Sequence, residues 1–143
     1  MHTVKTLLEK KGSSVWSISP DATVYDALVL MAEKNIGALL VIEGKKLTGV
    51  ISERDYARKI ILKGKASRDV PVREIMSSPV ITVAPSASLE DTLGVMCENH
   101  IRHVPVVAEG RILGVLSMRD VMTAIIEKQD DTIRFFNDLA ADD

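Results

Sequence analysis

The chain has 143 residues, 46% apolar and 27% charged, which is the length of one ordinary domain and a composition that excludes wholesale disorder. Its 18 lysines and arginines against 20 acidic residues leave a net charge of −2 and no overall basic field for nucleic acid. No apolar run approaches the about 20 residues that span a bilayer, no signal-type apolar segment follows Lys5, Lys10 and Lys11, and a single cysteine excludes an internal disulfide, so the expected setting is cytoplasmic, without a membrane.

Val4 to Leu8 (VKTLL) is a short apolar stretch ahead of the β-rich run VWSIS, which stops at Pro20. Thr23-x-x-Asp26 then has the form of a helix N-cap with a carboxylate at the third helical position. Val24, Ala27, Leu28, Met31 and Ala32 recur at helical spacing and give that helix one apolar face. Ala38 to Ser52 (ALLVIEGKKLTGVIS) is two apolar runs joined at Gly44, a β-hairpin, and a second helix follows from Arg54. Residues 62–79, with Gly, Ser, Pro and charge, form a linker. Its VREIM resembles VKTLL, so each half opens with a brief helix that caps the neighbouring core.

The series then recurs: VITVA stops at Pro85, Ser88-x-x-Asp91 starts a helix, HVPVVAEGRILGVLS bends at Gly110, and a last helix runs from Arg119. Leu89, Leu93, Met96 and Cys97 supply the apolar face of the first of these helices, with Cys97 read as a small core residue rather than a reactive thiol. Ile18 to Ile61 lies on Val83 to Ile126 at a constant offset (83 − 18 = 65) without a gap, and 15 of the 44 positions are identical. The chain is a tandem duplication of a β-α-β-β-α unit, an α/β (α+β) fold. One unit is too small to bury both its helices and its sheet, so two are expected to pack with pseudo-two-fold symmetry. The expected division is residues 1–66, 67–128 and a C-terminal tail, 129–143. In that tail Ile133, Phe136 and Leu139, or Phe135 with Leu139, mark a further helix that packs on the module or on its dimer mate.

Both copies end a strand in the same phrase, GVISERD at Gly49 to Asp55 and GVLSMRD at Gly114 to Asp120, and IRHVPVV precedes the second hairpin. These residues and the gapless repeat resemble a tandem pair of cystathionine beta-synthase (CBS) domains, a Bateman module, over Val4 to Glu127. The resemblance implies two clefts that bind adenosine ligands such as AMP, ADP, ATP, NAD or S-adenosylmethionine. It also implies assembly into homodimers, a role in energy or redox sensing, and no catalytic chemistry or catalytic cofactor.

Ser52-x-x-Asp55 and Ser117-x-x-Asp120 have a plain reading as capping boxes, worth about 1 kcal/mol each. By resemblance, Asp55 and Asp120 hold a ribose, while Ser52 and Ser117 reach ribose or phosphate at the helix N-terminus. Arg54 and Arg119 oppose the helix dipole in the first turn, a placement that suits an anionic guest, the alternative being solvated surface arginines. Gly37 and Ala38 in the first copy align with Arg102 and His103 in the second, so the two clefts are not equivalent. Arg102 and His103 resemble phosphate-facing residues, so one cleft is expected to favour a mononucleotide and the other a longer ligand such as NAD. The family takes adenine contacts from the first strand and its turn, here Ser17 to Ala22 and Thr82 to Ala87, where Ala22 and Ala87 leave room for a ring. Trp16 either stacks on a base or belongs to the core or a dimer face. Arg58, Lys59, Lys63, Lys65 and Arg68 form a basic run, a solvated face or a contact for an acidic partner.

The leading expectation is a nucleotide-sensing module with an unknown target protein and no attached enzyme, channel or DNA-binding domain. An enzyme lacks support: there is no P-loop, no metal-ligand cluster and no nucleophile beside a base. A purely structural dimerisation scaffold, with both S-x-x-D motifs serving as caps, is the alternative.

Overall fold

Caps and prolines set the element ends. The computed structural model describes residues 3–12 and 14–141, so the acidic end at Asp142 and Asp143 lies outside the described residues. The chain divides into two compact units: Val15–Val80, and the N-terminal segment to Ser14 together with Ile81 onward.

In the first unit β1 (Ser17–Ile18) leads through the turn at Ser19 to Ala22 into α2 (Val24–Lys34), after α1 (Val4–Lys11) of the other unit. Thr23 Oγ1 accepts from the Asp26 amide at 3.1 Å, as the cap motif predicts. The helix closes at Asn35, whose left-handed backbone (φ 53°) its short side chain tolerates. β2 (Ala38–Glu43) and β3 (Lys46–Ser52) form the hairpin, and β1 lies parallel to β2. Val24, Ala27 and Met31 of α2 pack with Leu39, Val41 and Ile51 of the sheet. α3 (Glu53–Lys59) is short and passes into a 3₁₀ turn at Ile61–Lys63 that Gly64 ends in the left-handed region (φ 68°).

The second unit repeats this order with α4 (Leu89–Glu98), β4 (His103–Ala108), β5 (Arg111–Ser117) and α5 (Met118–Ala141). Ser88 Oγ accepts from the Asp91 amide at 3.0 Å. The expected first strand, VITVA, is reduced to a single parallel bridge of Val83 with Val106. In the first unit the Leu40 amide donates to the Trp16 carbonyl at 3.2 Å. The equivalent of Leu40 is Pro105, which has no N–H to give, so that rung is missing. The tail is not a separate helix: Met118 to Ala141 contains no Gly or Pro, and α5 runs unbroken through it.

Cys97 and Ala32 are exposed, contrary to the core reading of their faces. The buried stripe of α4 is Leu89, Thr92 and Met96, and Thr92 is tolerated there because its hydroxyl donates to the Ser88 carbonyl at 2.8 Å. Trp16 is likewise outside the core, 41% exposed with the Lys34 ammonium 4.2 Å above its ring centroid.

Each leading segment packs on the other copy's core, as VKTLL and VREIM imply. The Val4 and Lys5 amides donate to the carbonyls of Ala87 (3.0 Å) and Pro85 (2.9 Å). The Val72 and Arg73 amides do the same to Ala22 (2.8 Å) and Pro20 (3.0 Å), from a 3₁₀ turn at Val72–Glu74. This exchange explains two glycines of the repeat. A Cβ on Gly114 would lie 2.7 Å from Leu8 Cδ2, and one on Gly49 would lie 2.6 Å from Met76 Sδ.

Candidate functional site

In both units the hairpin's second strand delivers a serine to the start of the next helix. Ser52 Oγ accepts from the Asp55 amide at 3.2 Å, and the Asp55 carboxylate accepts from the Ser52 amide at 3.0 Å and hydroxyl at 3.1 Å, all on Oδ2. Ser117 and Asp120 form the same reciprocal pair at 3.0 and 2.9 Å. The capping reading of S-x-x-D is therefore met in full. The first helical amides are also engaged: Glu53 donates to the Gly37 carbonyl at 3.1 Å and Met118 to the Arg102 carbonyl at 2.7 Å.

A lysine stands at each aspartate. In the first unit it is Lys59, one turn along α3, with Nζ 3.3 Å from Asp55 Oδ1 and a 2.8 Å bond to the Ile75 carbonyl. In the second it is Lys11, from the end of α1, 2.5 Å from Asp120 Oδ2 and 2.8 Å from the Val115 carbonyl. The repeat places neither lysine: Lys59 aligns with Ala124, and Lys11 precedes the aligned region. The spacing Asp55-x-x-x-Lys59 signals the first pair. No local signal marks Lys11, which reaches Asp120 only because α1 docks on the opposite copy.

Cross-strand pairing sets the remaining neighbours. Ala38 lies opposite Ser52 and His103 opposite Ser117, so the predicted group of Gly37, Ala38, Ser52 and Asp55, and that of Arg102, His103, Ser117 and Asp120, each come together at one sheet end. Arg54 is half-buried, whereas Arg102 and Arg119 are exposed. Burial holds the His103 pKa below the ordinary imidazole value, helped by Lys11 and Arg102 and opposed by Asp120. Burial raises the Asp120 pKa, but hydrogen bonds from Lys11 and Ser117 outweigh it and the group ends below its usual value.

Ala22 and Ala87 are not brought to these groups. Ser17 pairs with Leu40 and Ile18 with Val41 in a parallel register, so the turn holding Ala22 leaves β1 at the opposite end of β2 from Ala38. The Val83–Val106 bridge puts Ala87 beyond β4 in the same sense, while exposed Thr82 stands one residue back, on the His103 side. The amides and carbonyls of Ala22 and Ala87 are also engaged, with Ser19 and Ala84 and with the leading segments. Trp16, one step before Ser17, lies toward the site end of the sheet.

Among the described residues no group of His, Cys, Asp and Glu could hold a metal ion, and no helix is long and apolar enough to cross a membrane. Two α/β units in tandem thus repeat one arrangement, a serine-capped carboxylate with a lysine beside it. The chain belongs to the CBS-domain family, whose model matches residues 12–62 and 72–127. It is 35% identical, over 94% of this chain and 70% of the relative, to the mitochondrial CBS domain-containing protein CBSX3 of Arabidopsis thaliana. The crystal structure of the CBS-domain protein NE2398 superposes with a TM-score of 0.83 at 42% identity, covering 88% of this chain and 99% of that one. A more distant CBS pair, of protein MJ0100, has a TM-score of 0.77 at 23% identity over 90% and 98% of the chains, and was solved with 5′-methylthioadenosine and S-adenosylmethionine. A CBS-CP12 protein of bloom-forming cyanobacteria, 28% identical with a TM-score of 0.77 over 84% and 66% of the chains, is hexameric. Inosine-5′-monophosphate dehydrogenases of Thermoplasma acidophilum and Methanocaldococcus jannaschii match over only 21% and 24% of their lengths.

Proposed function

We propose that the chain is a sensor of adenosine ligands, with AMP, ADP, ATP, NAD(H) and S-adenosylmethionine as the candidates and no catalysis of its own. The observation that carries this reading is the second S-x-x-D group. The Asp120 carboxylate takes the Lys11 ammonium and the Ser117 amide on Oδ2, and an ionised carboxylate, with about four acceptor sites, has capacity left for a ribose hydroxyl. Lys11 keeps the group ionised, Lys11 and Arg102 bring positive charge for a phosphate, and the neutral His103 imidazole can add a hydrogen bond. The first group has Gly37 and Ala38 where the second has Arg102 and His103, so the two sites differ in charge and in hydrogen-bonding groups. The adenosine ligands bound by the MJ0100 pair support the same ligand class. The reading includes work as a homodimer in the cytoplasm, a reducing compartment in which the exposed single thiol of Cys97 stays free.

Titration calorimetry of the candidate ligands tests the reading. Asp120→Ala is expected to weaken at least one ligand by about 1.5–3 kcal/mol, the scale of a hydrogen bond to a charged group. Unchanged affinity for every ligand that binds the wild type removes Asp120 from the site. The complete capping boxes favour a second reading, a dimerisation scaffold in which the motifs only start helices. Absence of binding by any ligand supports that one.

A further inference from the structure

The second half of α5 is the longest exposed stretch among the described residues. Residues 129–141 are exposed throughout, and Ile133, Phe135, Phe136 and Leu139 are 51–62% exposed. Ile126, Ile133 and Phe136 continue the apolar arc beyond Ile125, which packs on the unit's own core. The other arc carries Asp130, Asp131 and Asp138 against Arg134 alone. This half of α5 draws nothing from the tertiary packing that supplies most helical stability, and an apolar patch of this kind marks an interaction surface. Its acidic flank disfavours anionic lipid, which selects basic amphipathic helices.

The first unit presents a surface of opposite charge. The amides of Lys63 (3.2 Å) and Lys65 (3.0 Å) donate to the Ile60 carbonyl, and that of Gly64 (3.1 Å) to the Ile61 carbonyl. These bonds fold residues 60–65 into a tight knob that holds Ile61 (56% exposed) and Leu62 (77%) outward. Lys63 and Lys65 flank it, and both are exposed. An apolar tip with a cationic rim is the complement of an apolar helix face with an acidic rim.

We infer that the α5 tail of one copy docks on the Ile61–Lys65 knob of a second copy of this chain. Each copy carries one tail and one knob, so a two-fold dimer is the closed assembly that makes the contact twice and leaves neither surface unmatched. The inference rests on the homodimer reading and names the surface that makes it. Pairing of two tails instead would bring surfaces of the same sign together.

Sedimentation velocity of the full chain tests it, with circular dichroism to check folding of each variant. Wild type is expected to be dimeric. Ile133→Asp with Phe136→Asp, and separately Leu62→Asp, are each expected to weaken self-association by about tenfold or more. Lys63→Glu with Lys65→Glu should weaken it as well, and adding Asp130→Lys with Asp131→Lys should restore it. A monomeric wild type overturns both this docking and the homodimer reading. A dimer broken by the tail changes but indifferent to the knob changes assigns tail-to-tail pairing and overturns the docking. A dimer indifferent to both sets overturns the docking and leaves the homodimer reading standing.

Discussion

Removal of the Lys11 ammonium probes the ion pair that joins α1 to the S-x-x-D group. Lys11 and Asp120 side chains are 38% and 27% exposed, and their contact is 2.5 Å. A hydrogen bond to a charged group contributes about 1.5–3 kcal/mol, and an exposed ion pair about 0.2–1 kcal/mol. Partial exposure sets the expected coupling near 1 kcal/mol. The Lys59–Asp55 pair, at 3.3 Å along one helix, should couple by only about 0.3–0.5 kcal/mol. Double-mutant cycles of Lys11→Met with Asp120→Asn, and of Lys59→Met with Asp55→Asn, by urea unfolding measure both terms. The pH sign follows from Asp120, whose pKa is lowered by the bonds from Lys11 and Ser117 after these outweigh burial. A depressed carboxylate stabilises fully above its unfolded value and loses that stabilisation as pH falls through its folded value. The Lys11 coupling should therefore hold from pH 7 to pH 5 and disappear once Asp120 is protonated in the folded state. A coupling indistinguishable from zero at pH 7 refutes the argument, as does one no larger than that of Lys59.

Gly49→Ala should destabilise more than Gly114→Ala, with both costs on the overpacking scale of about 1–3 kcal/mol. The added methyl at Gly49 meets the Ser77 carbonyl at 3.1 Å besides Met76, whereas at Gly114 its nearest neighbours are the flexible end of Leu8; chemical denaturation of the two variants checks the order. His103, held neutral by burial and by Lys11, gives stability that is present above its unfolded value near neutrality and lost as pH falls toward its lowered folded value. His103→Gln should therefore flatten the stability profile between about pH 7.5 and pH 5.5, and an unchanged slope in thermal unfolding contradicts that assignment.

The periodic parts of this fold are plain in the sequence because they rest on local chemistry. Thr23 and Ser88 start helices where the motif places them, Gly44 and Gly110 sit in the hairpin turns, and the S-x-x-D phrases cap α3 and α5. The similarity of VKTLL to VREIM also foretells the exchange of leading segments. Long-range consequences were harder to read. Pro105 costs the second copy its first strand through one missing amide, which the propensity of VITVA does not reveal. Lys11 enters the site through tertiary docking, with no spacing to announce it. Ala22 and Ala87 lie away from the S-x-x-D groups because the parallel register of β1 on β2, and of Val83 on Val106, sends their turns to the far end of the sheet. Cys97 and Trp16 look apolar in a one-dimensional pattern and nonetheless lie at the surface.

Thermal unfolding of the full chain against AMP, ADP, ATP, NAD, NADH and S-adenosylmethionine, each with and without magnesium, tests the central claim most directly. A ligand at 100 times its Kd should add about 2.7 kcal/mol of stability and raise Tm by several degrees. The sensor account predicts such a rise for at least one adenosine ligand and its reduction in Asp55→Asn or Asp120→Asn. A flat response across the panel, from protein that is folded and free of copurified nucleotide, contradicts the account.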